Sequence, residues 1–213
     1  MNEGAAPGLA LFDFDGTLTS TESFPGFLRM VVPKPRLYWG GLVVAPLVLA
    51  YRLRLLPGVA VRAAILSIAA RGLDAATVAA QGERYARDVV PVTLRPDMLA
   101  RLREHRDRGD VVVVVSGTFE ACVRAWCEGE GVALLASALE HRDGRLTGRY
   151  AGPQCVGEEK VRRIRARYDL SAFARIHAYG DTVEDLPMLA LADAAVYRGE
   201  PMLQSLRAGS GIA

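Results

Sequence analysis

Residues 111–115 are five consecutive valines, and this run constrains the fold more than any other feature of the sequence. Because the run is apolar at every position, it is typical of a strand that is buried on both faces. Shorter runs of this kind alternate along the chain with helical stretches. The other predicted strands are residues 9–14, 132–138, 176–179 and 194–197, and the predicted helices are 96–108, 119–130, 158–168 and 183–191. We therefore predict an α/β fold with a doubly wound parallel sheet, plus a small β-hairpin at residues 139–150.

Residues 31–90 interrupt this alternation. They contain no clear strand and favour helices throughout. We predict that they form a helical insertion, and that residues 1–30 and 91–213 together form the core domain around the sheet.

The composition excludes several classes of function. The formal charge of the 213 residues is only +2, which argues against a general nucleic-acid-binding protein. The three cysteines lack metal-ligand spacing, and we expect them to be small buried hydrophobic residues in a reducing cytosol. The first eight residues, MNEGAAPG, have no basic segment followed by an apolar stretch, so we expect a cytoplasmic protein.

Polar side chains follow three of the predicted strands. Asp13 and Asp15 come after the first strand, Ser116 follows the valine strand, and Asp181 and Asp185 follow the strand at 176–179. Ligands of open parallel sheets bind beyond the carboxyl ends of the strands, so these side chains should share one edge of the sheet. Four carboxylates in one crevice need a cation, and oxygen ligands beside a phosphate site suit Mg²⁺.

The same edge should hold an anion. The Ser116 hydroxyl and the Gly117 N–H form a plausible anion cradle near the start of the next helix. Lys160, one of only two lysines in the chain, supplies a compact positive charge opposite that anion.

Four segments together resemble the motifs of the haloacid dehalogenase (HAD) phosphohydrolase superfamily. The segments are DFDGTLT, VVVVVSGT, GEEK and GDTVEDLPML. A helical insertion soon after the first motif is similar to the phosphoserine-phosphatase-like branch (subfamily IB). The resemblance implies a Rossmann-like core under a mobile helical cap, and Mg²⁺-dependent phosphoryl transfer to an aspartate.

The resemblance also implies roles for individual residues. Asp13 would be the nucleophile, and Asp15 would protonate the leaving oxygen and then activate water. The metal would be bound by Asp13, the backbone carbonyl of Asp15, and Asp181, with Asp185 supporting these ligands.

On the phosphate side, the resemblance implies that Ser116 and Gly117 hold the phosphoryl oxygens. Lys160 would offset the charge on the nucleophile and the phosphate. Thr17 would order the loop that carries Asp13, and it is also a candidate contact of the phosphate.

Some positions depart from the phosphoserine phosphatases or concern only substrate choice. Those enzymes usually have asparagine where this chain has Glu184. Glu22 occupies the position where they keep a glutamate for the substrate amine. Arg62 is the nearest candidate for their arginine that binds the serine carboxylate.

Residues 37–51 carry no charge, and basic residues stand before and after them. Fifteen residues are short of the roughly 20 that span a bilayer, so we do not expect a transmembrane helix. Two alternatives remain open: a helix pair buried within the cap, or a segment lying at a membrane surface with Tyr38, Trp39 and Tyr51 at headgroup level. The second fits a resemblance of DGTLTSTESFPGFLRMVV to the start of the phosphatidylglycerophosphatase C family.

The sequence therefore predicts a Mg²⁺-dependent phosphomonoester hydrolase, with a lipid phosphate such as phosphatidylglycerophosphate as substrate. A soluble phosphatase acting on phosphoserine or histidinol phosphate is the alternative of the same class. A phospho-accepting signalling module is the alternative of another class, since such modules also gather aspartates, a hydroxyl and a lysine above a parallel sheet.

Overall fold

A six-stranded sheet forms the centre of the protein in the computed structural model, which describes residues 6–202. In spatial order its strands are Ala133–Ser137 (β3), Val111–Phe119 (β2), Leu9–Phe12 (β1), Ile176–Gly180 (β6), Ala194–Tyr197 (β7) and Glu200–Pro201 (β8). All neighbours are parallel except β8, which runs antiparallel to β7 at the edge. A separate antiparallel hairpin pairs Leu139–Arg142 (β4) with Arg145–Tyr150 (β5). The predicted α/β class and the hairpin are both confirmed.

The helices lie between these strands along the chain. In chain order they are Ser23–Val31 (α1), Lys34–Arg52 (α2), Gly58–Ala69 (α3), Ala75–Asp88 (α4), Val90–Thr93 (α5), Pro96–Asp107 (α6), Glu120–Glu130 (α7), Glu158–Arg167 (α8) and Leu186–Leu189 (α9). The predicted helix at 183–191 is wrong in detail. A tight turn at Val183–Asp185 precedes α9, and Pro187 stands in the first turn of that helix, where proline is well tolerated.

The valine strand is buried on both faces, as its composition predicts. Val112 and Val114 pack in the hydrophobic cluster on one side of the sheet, and Val113 and Val115 pack in the cluster on the other side. Adjacent β1 alternates in the same way, because successive side chains of a strand point to opposite faces.

Helices α1–α5 form what we call the helical segment, residues 23–93, and it shares a core with the sheet. Val78 and Tyr85 of α4 belong to the same buried cluster as Phe12 of β1. Helix α4 packs so closely on α7 that a Cβ at Gly82 would overlap the backbone carbonyl of Ala121. The division into a core and a cap at residues 31–90 stays a prediction.

Helix α2 is the exception to this packing. None of its residues is buried, and Tyr38 and Trp39 are 78% and 72% exposed. Burial within a cap, one of the two predicted alternatives, is therefore wrong for α2. Across residues 6–202, no helix combines the length and the apolarity that crossing a bilayer requires.

The three cysteines are buried and unpaired, as predicted. The prediction about the N-terminus concerns residues 1–8, of which residues 1–5 lie outside the described part of the chain.

Candidate active site

The sheet order brings three strand ends together. Strand β1 lies between β2 and β6, so the residues that follow these strands meet at one edge of the sheet. Asp13 follows β1 directly, and its backbone N–H donates to the Tyr179 carbonyl at 2.9 Å. This hydrogen bond continues the ladder by one residue and fixes the backbone of Asp13.

The turn after Asp13 lets a second carboxylate approach. Gly16 has a φ of +85°, and a Cβ there would overlap the carboxylate of Asp181. A residue with a side chain would be strained in this conformation and would displace Asp181. Thr17, in the same turn, donates its hydroxyl to Asp181 Oδ1 at 3.0 Å. Thr17 thus orients Asp181.

Three carboxylates converge at this edge. One oxygen from each of Asp13, Asp181 and Asp185 lies within 4.8 Å of the other two. An all-oxygen donor set of this size fits a hard divalent cation such as Mg²⁺. The side chain of Asp15 turns away from this group, so within residues 6–202 the cluster holds three aspartates rather than four.

Lys160 lies between two of these carboxylates. Its Nζ is 2.6 Å from Asp13 Oδ1 and 2.6 Å from Asp185 Oδ1, and the residue is only 1% exposed. Burial opposes the charged amine, but the two carboxylates outweigh it and raise the pKa of Lys160. Burial has the opposite effect on the carboxyl group of Asp13. It raises the pKa of Asp13 to about 8, although the ammonium of Lys160 lowers it. A buried carboxylate of this kind needs additional positive charge to stay ionised at neutral pH.

Asp185 is held by hydrogen bonds. Its Oδ2 accepts from the N–H and the hydroxyl of Thr182, both at 2.9 Å, while its Oδ1 accepts from Lys160. Burial raises the pKa of Asp185, but Lys160 and these hydrogen bonds lower it by more. The pKa of Asp185 is therefore below its usual value. Asp185 therefore stays ionised and positions Lys160.

Asp15 has a different environment. Its Oδ1 accepts from the Ser23 N–H at 3.0 Å and from the Ser23 hydroxyl at 2.5 Å. Burial raises the pKa of Asp15 to about 7, and the Ser23 hydroxyl opposes this rise. A carboxyl group with such a pKa can both give and take a proton near neutral pH. The role of Ser23 was not predicted from sequence, since a serine at the start of a helix is usually only a cap.

The end of β2 faces the carboxylates across a pocket of about 490 Å³. Ser116, Gly117 and Thr118 line this pocket with Asp13, Asp15 and Lys160. The Thr118 hydroxyl oxygen is buried and has no hydrogen-bond partner among the described residues. Its hydroxyl is therefore free to donate to a group bound in the pocket, and no pattern in the sequence distinguishes it from the neighbouring residues. A larger cavity of about 1070 Å³ lies near α7, but it contains none of these groups.

The helical segment and Glu22, the residue just before it, close the other side of the pocket. The residues it contributes are Glu22 just before α1, Phe24 and Pro25 of α1, Val48 and Tyr51 of α2, and Gly58, Val61, Arg62 and Ile65 of α3. This wall is mostly apolar, so it favours a substrate with an apolar part near its phosphate.

Arg62 does not stand free in the pocket. Its guanidinium donates to both oxygens of Glu184, at 3.0 and 3.1 Å, and to Gln154 Oε1 at 2.9 Å. Gln154 in turn donates to the Val59 carbonyl at 2.7 Å. Arg62, the candidate from sequence for binding a substrate carboxylate, is therefore already paired with the carboxylate of Glu184. Glu22 lies close enough for Arg62 to lower its pKa, but burial and Asp181 raise that pKa overall.

Comparisons with known proteins identify relatives of this fold and site. A family model described as haloacid dehalogenase-like hydrolase matches residues 10–190. Protein CicA of Caulobacter vibrioides is 35% identical over 205 residues, which cover 93% of this chain and 90% of that protein. A phosphoserine phosphatase of Halobacterium salinarum is 35% identical over 104 residues, covering 47% of this chain and 48% of that protein. A solved structure of a substrate-bound phosphoserine phosphatase matches with a TM-score of 0.66 and 22% identity, over 91% of this chain and 87% of that one.

Proposed function

Because the chain belongs to the haloacid dehalogenase-like hydrolases, in their phosphoserine-phosphatase-like branch, we propose that this phosphomonoester hydrolase works with Mg²⁺ through a phospho-aspartate at Asp13. The observation that carries the proposal is the convergence of Asp13, Asp181 and Asp185 beside Lys160 at one sheet edge. The family assignment favours an enzyme with turnover over a phospho-accepting signalling module.

In the first step, an oxygen of Asp13 forms a bond to phosphorus while the bond from phosphorus to the ester oxygen breaks. The departing oxygen takes the proton of Asp15, whose pKa of about 7 leaves much of it protonated at neutral pH. The hydroxyls of Ser116 and Thr118, the Gly117 N–H and the Lys160 ammonium surround the place of the phosphoryl oxygens and stabilise their charge.

In the second step, Asp15 is a carboxylate and takes a proton from water. The resulting hydroxide attacks phosphorus, the bond to Asp13 breaks, and inorganic phosphate leaves. Asp13 and Asp15 then have their starting protonation states. Ser23 holds Asp15 in place during both steps through its two hydrogen bonds.

The carboxylates of Asp13 and Asp181 and the backbone carbonyl of Asp15 would hold Mg²⁺, with Asp185 and Thr17 supporting them. When bound, the ion supplies positive charge that favours the ionised form of Asp13 and balances the charge of the phosphoryl group. Aryl phosphate hydrolysis should therefore stop on chelation and return with added Mg²⁺.

The experiment that tests the proposal traps the phospho-aspartate. With a ³²P-labelled aryl phosphate, whose leaving group needs no acid, the variant Asp15→Asn should accumulate label because the second step lacks its base. The variants Asp13→Asn and Asp13→Asn/Asp15→Asn should carry no label. Asp169→Asn, an exposed aspartate far from the site, is the matched control and should behave as wild type. Label that persists without Asp13 would exclude it as the nucleophile.

For the substrate, we propose a lipid phosphate such as phosphatidylglycerophosphate. Two observations support this: the apolar wall that α1, α2 and α3 give to the pocket, and the exposed apolar helix α2 that continues from that wall. Hydrolysis of phosphatidylglycerophosphate in mixed micelles should exceed that of soluble esters. A clear preference for soluble esters would contradict this choice.

A soluble aminoalkyl phosphate is the second candidate. The Arg62–Glu184 pair bears on whether such a substrate also has a carboxylate. With Arg62 occupied and Glu22 at the pocket, the site suits a substrate that has an amine but no carboxylate. The names of a histidinol-phosphatase and a phosphoserine phosphatase among the relatives illustrate both kinds. Glu184→Gln should free Arg62 and raise activity on phosphoserine relative to phosphoethanolamine by roughly tenfold. The double variant Arg62→Gln/Glu184→Gln should lose that gain, and a gain that survives in it would exclude Arg62 as the cause.

A further inference from the structure

Helix α2 presents an apolar surface to solvent. Its inner side, at Leu37, Gly40, Val44, Leu47 and Val48, is partly covered, and a Cβ at Gly40 would lie 3.3 Å from Ile68 Cγ2 of α3. The outer side and the following turn are open to solvent. We call this open set the α2 surface: Tyr38, Trp39, Leu42, Val43, Leu49, Tyr51, Leu53 and Leu55, each between 49% and 78% exposed. Large contiguous apolar surfaces of this kind mark a binding site.

The charged residues of the segment that carries the α2 surface have one sign. Residues 23–73 contain seven basic residues and no aspartate, glutamate or histidine. The basic residues are Arg29, Lys34, Arg36, Arg52, Arg54, Arg62 and Arg71. Since the whole chain has a net charge of only +2, the remaining residues are net negative. The partner of the α2 surface is therefore anionic as well as apolar.

We propose that the α2 surface docks on an anionic lipid bilayer, with α2 lying in the plane of the interface. A bilayer offers apolar acyl chains to Leu42 and Val43 and anionic headgroups to Lys34 and Arg52. Tyrosine and tryptophan side chains, here Tyr38 and Trp39, favour that boundary. Helix α2 has 19 residues and is roughly 28 Å long, so it presents several turns to the membrane at once.

The chemistry of the surface distinguishes the bilayer from other occupants. Arg62 pairs with Glu184, but a second copy of the chain would still bring the other six basic residues of each segment against each other, without an acidic residue in either segment to compensate. A nucleic acid would satisfy the charges but leave the leucines and valines against a polar backbone.

The position of α2 links docking to the pocket. Val48 and Tyr51 belong to α2 and also line the pocket that contains Asp13. A bilayer on the α2 surface would therefore lie beside the pocket wall. The docking surface goes beyond the proposed phosphatase function, and only the choice of a lipid phosphate as substrate links the two.

Vesicle flotation with the full chain tests the proposal. The protein should float with vesicles of phosphatidylcholine that contain 30% phosphatidylglycerol, and it should remain at the bottom with pure phosphatidylcholine. Leu42→Gln/Val43→Gln should weaken binding at least about tenfold, because each substitution removes an apolar side chain from the acyl region. Val92→Gln is the matched control, since Val92 is 81% exposed on the helical segment but outside the α2 surface, and it should bind as wild type.

Two substitutions that each remove a basic charge complete the experiment. Lys34→Gln and Arg52→Gln should each weaken binding about fivefold, whereas Arg165→Gln on α8 should not. Hydrolysis of a soluble aryl phosphate should be unchanged in Leu42→Gln/Val43→Gln, which shows that the variant is folded. Asp13→Asn should still float, so a failure of the phosphatase assignment would leave the docking result readable.

Several outcomes would overturn the proposal. The proposal is wrong if the protein does not float with anionic vesicles, or if the α2 substitutions leave its flotation unchanged. It is also wrong if Val92→Gln loses as much vesicle binding as Leu42→Gln/Val43→Gln. If light scattering shows a dimer that Leu42→Gln/Val43→Gln dissociates, and vesicles are not bound, a second copy covers the surface instead.

Discussion

Strand β2 and helix α2 each contain a long uncharged apolar run, but one run is buried in the fold and the other is exposed. Residues 112–115 of β2, all valines, are almost fully buried, whereas no residue of α2 is buried. Hydrophobicity alone does not decide burial, because a run is buried only where other elements cover it. In β2 the apolar run has a structural role, and in α2 it remains available for a partner.

The two regions also differ in charge. Across the pocket from the end of β2, the buried carboxylates of Asp13 and Asp185 each pair with the buried Lys160. The charged residues of segment 23–73 are all basic, and those on α2 and the turn after it, Lys34, Arg36, Arg52 and Arg54, are exposed. The charged residues at the sheet edge are therefore paired inside the protein, whereas the basic residues on α2 and the turn after it face solvent.

The largest expected effect comes from breaking the internal arrangement. Lys160→Met should leave Asp13 and Asp185 buried without their cation, and removing one partner of such a group costs about 3–5 kcal/mol of unfolding free energy. The activity should also fall by about a hundred- to a thousandfold, because a charge that stabilises the phosphoryl group is lost. Urea unfolding and aryl phosphate hydrolysis measure the two effects. Arg162→Met, on the same helix but exposed, is the control, and a comparable loss there would contradict the assignment.

The next prediction compares one substitution in both regions. Val114→Ala removes two methyl groups from the buried core and should cost about 1.5–3 kcal/mol of unfolding free energy. Val43→Ala makes the same change on α2, where the side chain is 62% exposed, and should change stability by less than about 0.5 kcal/mol. Urea unfolding of both variants measures the difference. Equal losses would mean that α2 is covered in solution, which would remove the contrast between the regions.

The smallest expected effect concerns pH. Burial lowers the pKa of His105, and hydrogen bonds from Arg108 and His105 lower the pKa of Asp110 even though burial opposes them. His105 binds a proton more readily in the unfolded chain, so its own contribution to the free energy of unfolding should shrink as the pH drops below about 6.5, the ordinary pKa of histidine. The raised pKa values of Asp13 and Asp15 act in the opposite direction, so the contribution of His105 is read as the difference between wild type and His105→Gln. Thermal unfolding between pH 7 and pH 5 measures this. Relative to wild type, His105→Gln should gain stability from pH 7 to pH 5, and the exposed His141→Gln should not.

The same pH series sharpens the comparison between the regions. Residues 23–73 contain no group that titrates between pH 5 and 8, because they lack aspartate, glutamate and histidine. Vesicle binding should therefore stay constant over this range while the contribution of His105 to stability falls. A vesicle affinity that changes steeply with pH would place the docking groups elsewhere in the chain.

The sequence predicted the α/β fold and the family because these depend on local patterns. Periodicity distinguishes a strand from a helix within a few residues. Asp13 and Asp181 follow their strands directly, and Ser116 lies near the end of β2, which continues to Phe119. Once the strands pair in parallel, the residues at their carboxyl ends lie at the same edge whatever the rest of the chain does. The placement of the motif residues needed little more than strand order.

Contacts between distant segments followed only from the tertiary structure. Arg62 and Glu184 are 122 positions apart, and no periodicity or motif predicts that they pair. The rotation of Asp15 toward Ser23, the unpartnered hydroxyl of Thr118 and the exposure of α2 have the same origin. Each depends on how the helical segment packs on the sheet, and that packing is the sum of many weak contacts between residues far apart in the chain.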